Sequence, residues 1–136
     1  MATHWLFKTE PSVYSYQQLV KDKKTMWDGV ANNLALMHLK DIKKGDQIFI
    51  YHTGDEKQAV GLATAASDAY PDPKLADPKR LVIDLAAGDE LAEPVTLAQV
   101  KADAVLKSTE LARLPRLSVM PFSEVQFRRL LELAKG

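Results

Sequence analysis

At 136 residues, with 46% apolar and 26% charged side chains, the chain is long enough for one domain, spanning residues 1 to 136, with a core that needs no staples. Eighteen basic residues balance eighteen acidic ones, which argues against a broad phosphate-neutralising surface, so any affinity for nucleic acid must be local. Cysteine is absent, which excludes disulfides and thiolate metal sites, and no apolar run approaches the roughly 20 residues of a membrane span, so a cytoplasmic protein with no membrane partner is expected.

Taken in chain order, His4–Thr9 is aromatic and apolar enough for a first strand, ended by Pro11. Ser15 suits the cap of a short helix through Lys21 that buries Tyr16, Leu19 and Val20, and Asp22-Lys23-Lys24 follows as an exposed turn. Trp27-Asp28-Gly29-Val30 punctuates the chain before a helix from about Asn33 to Ile42, with Ala35, Leu39 and Ile42 at core spacing and Gly45 as its stop. Gln47–His52 and Ala59–Ala66 then pair as a hairpin about Thr53-Gly54-Asp55.

The prolines of Tyr70-Pro71-Asp72-Pro73 and Asp77-Pro78 predict an irregular surface loop before a strand over Leu81–Leu85. Thr96 is placed to cap a short helix over Leu97–Lys101, and a further helical turn is expected over Leu106–Leu111. Leu117–Met120 reads as a last short strand. Ser123 and Gln126 have capping-box spacing for a helix over Glu124–Ala134, with Val125, Leu130, Leu131 and Leu133 as its apolar side. The sum is an α+β fold, a mixed sheet of about five strands with short helices between them, which suits a curved sheet or part-closed barrel better than a doubly wound fold.

No Gly-x-Gly-x-x-Gly, Walker lysine loop or Gly-x-Ser-x-Gly elbow occurs, so nucleotide and serine hydrolysis are disfavoured and no cofactor is expected. His4, His38 and His52 are the only histidines and none lies four residues from another, which removes the helical metal pair. Glu10, Asp28 and Asp46 are conceivable acid/base groups, yet turn duty accounts for an aspartate beside glycine at Asp28-Gly29 and Gly45-Asp46, so an enzyme is not expected. Trp5, Phe7, Trp27, Tyr51 and His52 fall near Lys8, Thr9, Glu10 and Asn32 at strand ends. Flat rings beside hydrogen-bonding groups suit a base splayed from its stack, although from the pattern alone a plain aromatic core is the favoured reading.

Trp5-Leu6-Phe7-Lys8-Thr9-Glu10-Pro11 resembles the opening signature of the EVE domain family. Further matches follow in the same order: Trp27-Asp28-Gly29-Val30, Lys44-Gly45-Asp46 before Tyr51-His52, Val60-Gly61, Ala69-Tyr70-Pro71-Asp72-Pro73, Pro94-Val95-Thr96-Leu97 and Arg116-Leu117-Ser118-Val119-Met120-Pro121. The resemblance implies a PUA-like fold, a strongly curved mixed sheet approaching a barrel with short peripheral helices. It also implies a cleft that holds a modified base of DNA or RNA, with modified cytosine the first candidate, and no turnover.

On that resemblance Trp27 is assigned to stacking and Lys8, Thr9 and Glu10 to polar contacts in or near the pocket. Asn32 and His52 are assigned to its wall, and Arg116 with Ser118 to base-edge or phosphate contacts. The chain departs from the family over Ala31-Asn32-Asn33-Leu34-Ala35-Leu36-Met37-His38, where apolar residues replace an arginine and amides, and at Leu114. An apolar Leu34–Met37 surface supplies the alternative expectation, a homodimeric or partner-docking scaffold domain with a degenerate pocket.

Overall fold

The computed structural model describes residues 3–135. Its centre follows from the densest apolar run of the N-terminal segment. Strand β1 (His4–Thr9) lies inside the sheet, and Trp5, Leu6 and Phe7 are buried in succession because both its faces are covered. It runs parallel to β3 (Gln47–His52) and antiparallel to β7 (Val119–Phe122). Between β1 and β3 the chain crosses over through α1 (Tyr16–Asp22), β2 (Lys24–Trp27) and α2 (Asn33–Asp41).

The expected hairpin forms: β3 pairs with β4 (Gln58–Ala65) about the Thr53-Gly54-Asp55 turn. Strand β4 pairs in turn with β6 (Leu81–Thr96), and β6 carries β2 and the two-residue β5 (Tyr70–Pro71) as partners. The strand order β2-β6-β4-β3-β1-β7 leaves β2 and β7 as unpaired ends of a seven-stranded mixed sheet. The sheet is therefore neither closed nor strongly curled, which corrects the expectation of a strongly curved, part-closed barrel. A physical reason lies at the ends themselves. Each edge strand is four residues long, and β7 sets Pro121, which has no N–H to donate, opposite Trp5.

Two strands exceed what the sequence predicted. Lys24–Trp27, read as turn and punctuation, is edge strand β2, and β6 runs for sixteen residues rather than stopping at Leu85. The extension of β6 crosses Gly88, a poor strand former, and is held there by Tyr16. The Tyr16 hydroxyl lies 2.7 Å from the Gly88 carbonyl and 3.2 Å from that of Leu62, and its ring sits where any side chain on Gly61 would stand. The register of β4 against β6 shifts on both sides of Gly61, so the tyrosine fastens the sheet where its own ladder is irregular.

Helix starts follow the sequence closely. Ser15, Asn32, Thr96, Thr109 and Ser123 cap α1, α2, α3 (Leu97–Ala102), α4 (Glu110–Arg113) and α5 (Glu124–Leu133), with capping boxes at Thr96/Gln99 and Ser123/Gln126. A 3-10 turn at Leu106–Ser108 precedes α4. The apolar faces of α1 and α5 differ from expectation: Val20 and Val125 are exposed, and α5 buries Phe127 with Leu130, the phenyl ring stacking on Phe49 at 4.2 Å. These two α5 residues lie three apart, the helical repeat that a row of leucines hid.

Candidate nucleic-acid interface

The polar groups of β1 are settled differently at its two ends. At the start, the Trp5 indole N–H donates to Asp46 Oδ2 at 3.0 Å, and the same oxygen accepts from the Lys43 backbone at 2.9 Å. Asp46 thus ties the α2–β3 turn to the sheet inside the core. At the far end, Lys8, Thr9 and Glu10 are only half buried, and the strand opens into a cleft of about 580 Å³.

This cleft is walled by the end of β1, the β1–α1 turn with Val13 and Tyr14, strand β2 from Thr25 to Trp27, the Asp28-Gly29 turn and Lys74. Trp27 supplies an apolar wall. Its ring packs on Phe7 at 5.6 Å between centroids and receives Tyr14 edge-on at 5.9 Å, and only 8% of it is exposed. Tyr14 in turn donates its hydroxyl to Asp22 at 2.8 Å, which fixes the ring at the cleft, and burial pushes its pKa up.

Lys8 brings the only amine of the β1 end. Its Nζ donates to the Pro115 carbonyl at 3.0 Å and lies 5.7 Å from the centre of the Tyr51 ring. Burial pulls the Lys8 pKa down and pushes that of Tyr51 up to about 12. Across the mouth, Lys74 Nζ reaches Asp28 at 2.9 Å, so the proline-rich loop and the Asp28-Gly29 turn meet over the cleft as an exposed ion pair. Gly29 turns there with φ of 78°, which favours glycine.

Glu10 is occupied. Its Oε1 accepts from Ser12 N and Oγ at 3.3 and 3.1 Å, its Oε2 from the Thr53 hydroxyl at 3.3 Å, and its backbone carbonyl from both Val13 and Tyr14 N–H at 2.9 Å. Thr9 Oγ1 donates to the Tyr14 carbonyl at 2.7 Å, closing the same turn. Gly54 makes room for the carboxylate: a Cβ there would stand 2.7 Å from Glu10 Oε2, and its φ is +74°.

Of the residues singled out from sequence, the structure brings Lys8, Thr9, Glu10 and Trp27 to one cleft. Asn32 and His52 are elsewhere. Asn32 spends its side chain capping α2, accepting from Ala35 N at 3.0 Å. His52 is buried: Nε2 accepts the Tyr16 backbone N–H at 2.9 Å, which places the proton on Nδ1, donating to Glu56 at 2.9 Å. Both act on helix starts rather than on the cleft wall. Arg116 is exposed and Ser118 uses its backbone carbonyl to accept from Lys8 N at 2.9 Å; their segment flanks Lys8 but neither lines the cleft.

Val13, Tyr14, Thr25, Met26 and Lys74 line the cleft and were not foreseen. On α2, Leu34 and Met37 are exposed, 38% and 65%, while Leu36 packs toward the core, so the apolar surface of that helix is two side chains one turn apart. Among the described residues no three His, Cys, Asp or Glu side chains gather as metal ligands, and no helix is long and apolar enough to cross a membrane.

Comparison with known proteins agrees with this architecture. A Rhodopseudomonas palustris protein solved by NMR matches with a TM-score of 0.93 at 37% identity, over 99% of this chain and 94% of that one. Human thymocyte nuclear protein 1 is 27% identical over 98% of this chain and 74% of its own length. The crystal structure of human THYN1 in complex with 5-methylcytosine containing DNA matches with a TM-score of 0.89 at 28% identity, covering 98% of each chain. An ASCH protein from Zymomonas mobilis, with a TM-score of 0.60 at 13% identity over 96% of this chain and 95% of its own, shares the fold alone. The EVE domain model matches residues 3–133, and the chain belongs to the EVE domain family.

Proposed function

We propose that the protein binds DNA carrying a modified cytosine and holds that base, without turning it over, in the cleft between the end of β1 and strand β2. The observation that carries this reading is the structural match to human THYN1 in complex with 5-methylcytosine containing DNA, across 98% of both chains. The cleft adds the chemistry. Trp27, Tyr14 and Met26 offer apolar surface to a base and its methyl group, and Lys8 and Thr9 add polar groups to the lining. Contacts of this kind offset the few kcal/mol spent on unstacking a base.

Binding without chemistry fits the commitments of the carboxylates that line the cleft. Glu10 holds the β1–α1 turn and Asp28 pairs with Lys74, so each is engaged in structure. The neutral overall charge fits an affinity carried by the cleft and a few cations such as Lys74. Titration of modified and unmodified oligonucleotides by fluorescence anisotropy tests the reading. A preference for the modified strand that Met26→Ser weakens is the expected result. Equal affinity for both strands contradicts it.

A further inference from the structure

We infer that Val13 is an apolar wedge that enters the base stack of duplex DNA and fills the gap left by the base drawn into the cleft. The inference rests on the modified-base reading and deepens it from binding to the opening of a duplex. Single exposed valines are common on protein surfaces. Two features set this one apart.

The first is its place and exposure. Val13 lines the mouth of the cleft and is 82% exposed, more than any other large apolar side chain among the described residues. DNA whose base sits in the cleft must bring the rest of its stack against that mouth. Extruding a base from a duplex leaves a void between its neighbours, and DNA-bending proteins fill comparable gaps with apolar side chains.

The second is the rigidity of the mount. Five hydrogen bonds converge on the turn that displays Val13: Val13 N and Tyr14 N to the Glu10 carbonyl, Ser12 N and Oγ to the Glu10 carboxylate, and Thr9 Oγ1 to the Tyr14 carbonyl. Pro11 fixes its own φ within the turn, and the β-branched valine has few rotamers to lose. The backbone that displays this exposed side chain is thus held in place, which leaves little entropic cost to insertion. The engagement of Glu10 then gains a purpose: it is a positioning residue for the tip.

The test compares wild type with Val13→Ala on two probes, a duplex with one 5-methylcytosine and the same modified strand alone, with a fluorescent purine analogue beside the target to report unstacking. The side chain is exposed, so folding is unaffected. The expected result in Val13→Ala is loss of the unstacking signal and a loss of duplex affinity about tenfold greater than any loss on the single strand, where only the contact of Val13 with the cleft mouth is removed. Equal loss on both probes, no change on either, or a wild type that binds only the single strand overturns the wedge and leaves the base reading standing. A wild type indifferent to the modification removes the base reading, and the wedge with it.

Discussion

The two ends of the six-residue strand β1 solve opposite problems. At Trp5 the indole N–H meets a buried carboxylate, and the Asp46 oxygen that receives it also receives a backbone N–H. At Lys8–Glu10 the strand stays half open, and its polar groups fasten a turn instead of sealing a core. One signature, Trp5 to Pro11, therefore encodes both a clamp for the fold and a rim for the cleft. Sequence resemblance in such a segment speaks for fold and site together, and substitutions are what separate them.

The largest effect is expected at the closed end. Asp46→Ala leaves the Trp5 indole and the Lys43 amide without their acceptor and costs about 3 kcal/mol of stability, read as a lowered denaturant midpoint. Affinity of the folded protein for modified DNA should be unchanged, and a selective loss of binding would join the two ends functionally. At the open end, Gly54→Ala forces a positive φ on a side chain and pushes the Glu10 carboxylate, so about 1–2 kcal/mol is lost. Because the turn moves with Glu10, binding should fall more than stability does, which calorimetry and anisotropy on the same sample would show.

Lys74→Ala should leave stability unchanged, since its ion pair is exposed, and lower the slope of log affinity against log salt by about one. An unaltered slope would mean that Lys74 stays on Asp28 in the complex. The effect with no consequence near neutral pH is a pH dependence. Burial raises the Tyr51 pKa from 10.0 to about 12, so the unfolded chain releases that proton first. The stability this contributes is complete below pH 10 and is lost as pH rises toward about 12. Tyr51→Phe should flatten that alkaline decline in denaturation curves; an unchanged decline would assign it to other groups.

Helix starts and the central hairpin were legible because their signals are local: a capping side chain with its partner three residues on, or two apolar runs about a glycine turn. Strand β2 was hidden because Lys24-Thr25-Met26-Trp27 sits at an edge with a charged neighbour on each side, and β6 because its second half depends on Tyr16 reaching Gly88 from 72 residues away. The barrel expectation failed for a similar reason, since nothing local reports whether two short edge strands meet.

The cleft divides along the same line. Lys8, Thr9, Glu10 and Trp27 were named because they stand inside contiguous motifs, whereas Lys74 arrives from a loop 46 residues beyond Asp28 and carries no motif of its own. Asn32 and His52 were misplaced for the converse reason: a side chain near a motif can be turned to a helix cap or a buried hydrogen bond by geometry that spacing does not display.

The most direct test of the central claim locates the bound base. Backbone amide chemical shifts of the labelled protein, followed during titration with a 5-methylcytosine strand, should change most at Lys8–Tyr14, Thr25–Gly29 and Lys74. Changes concentrated instead on Leu34–Met37 of α2, or no difference between modified and unmodified strands, would contradict the assignment of the cleft as the base-binding site.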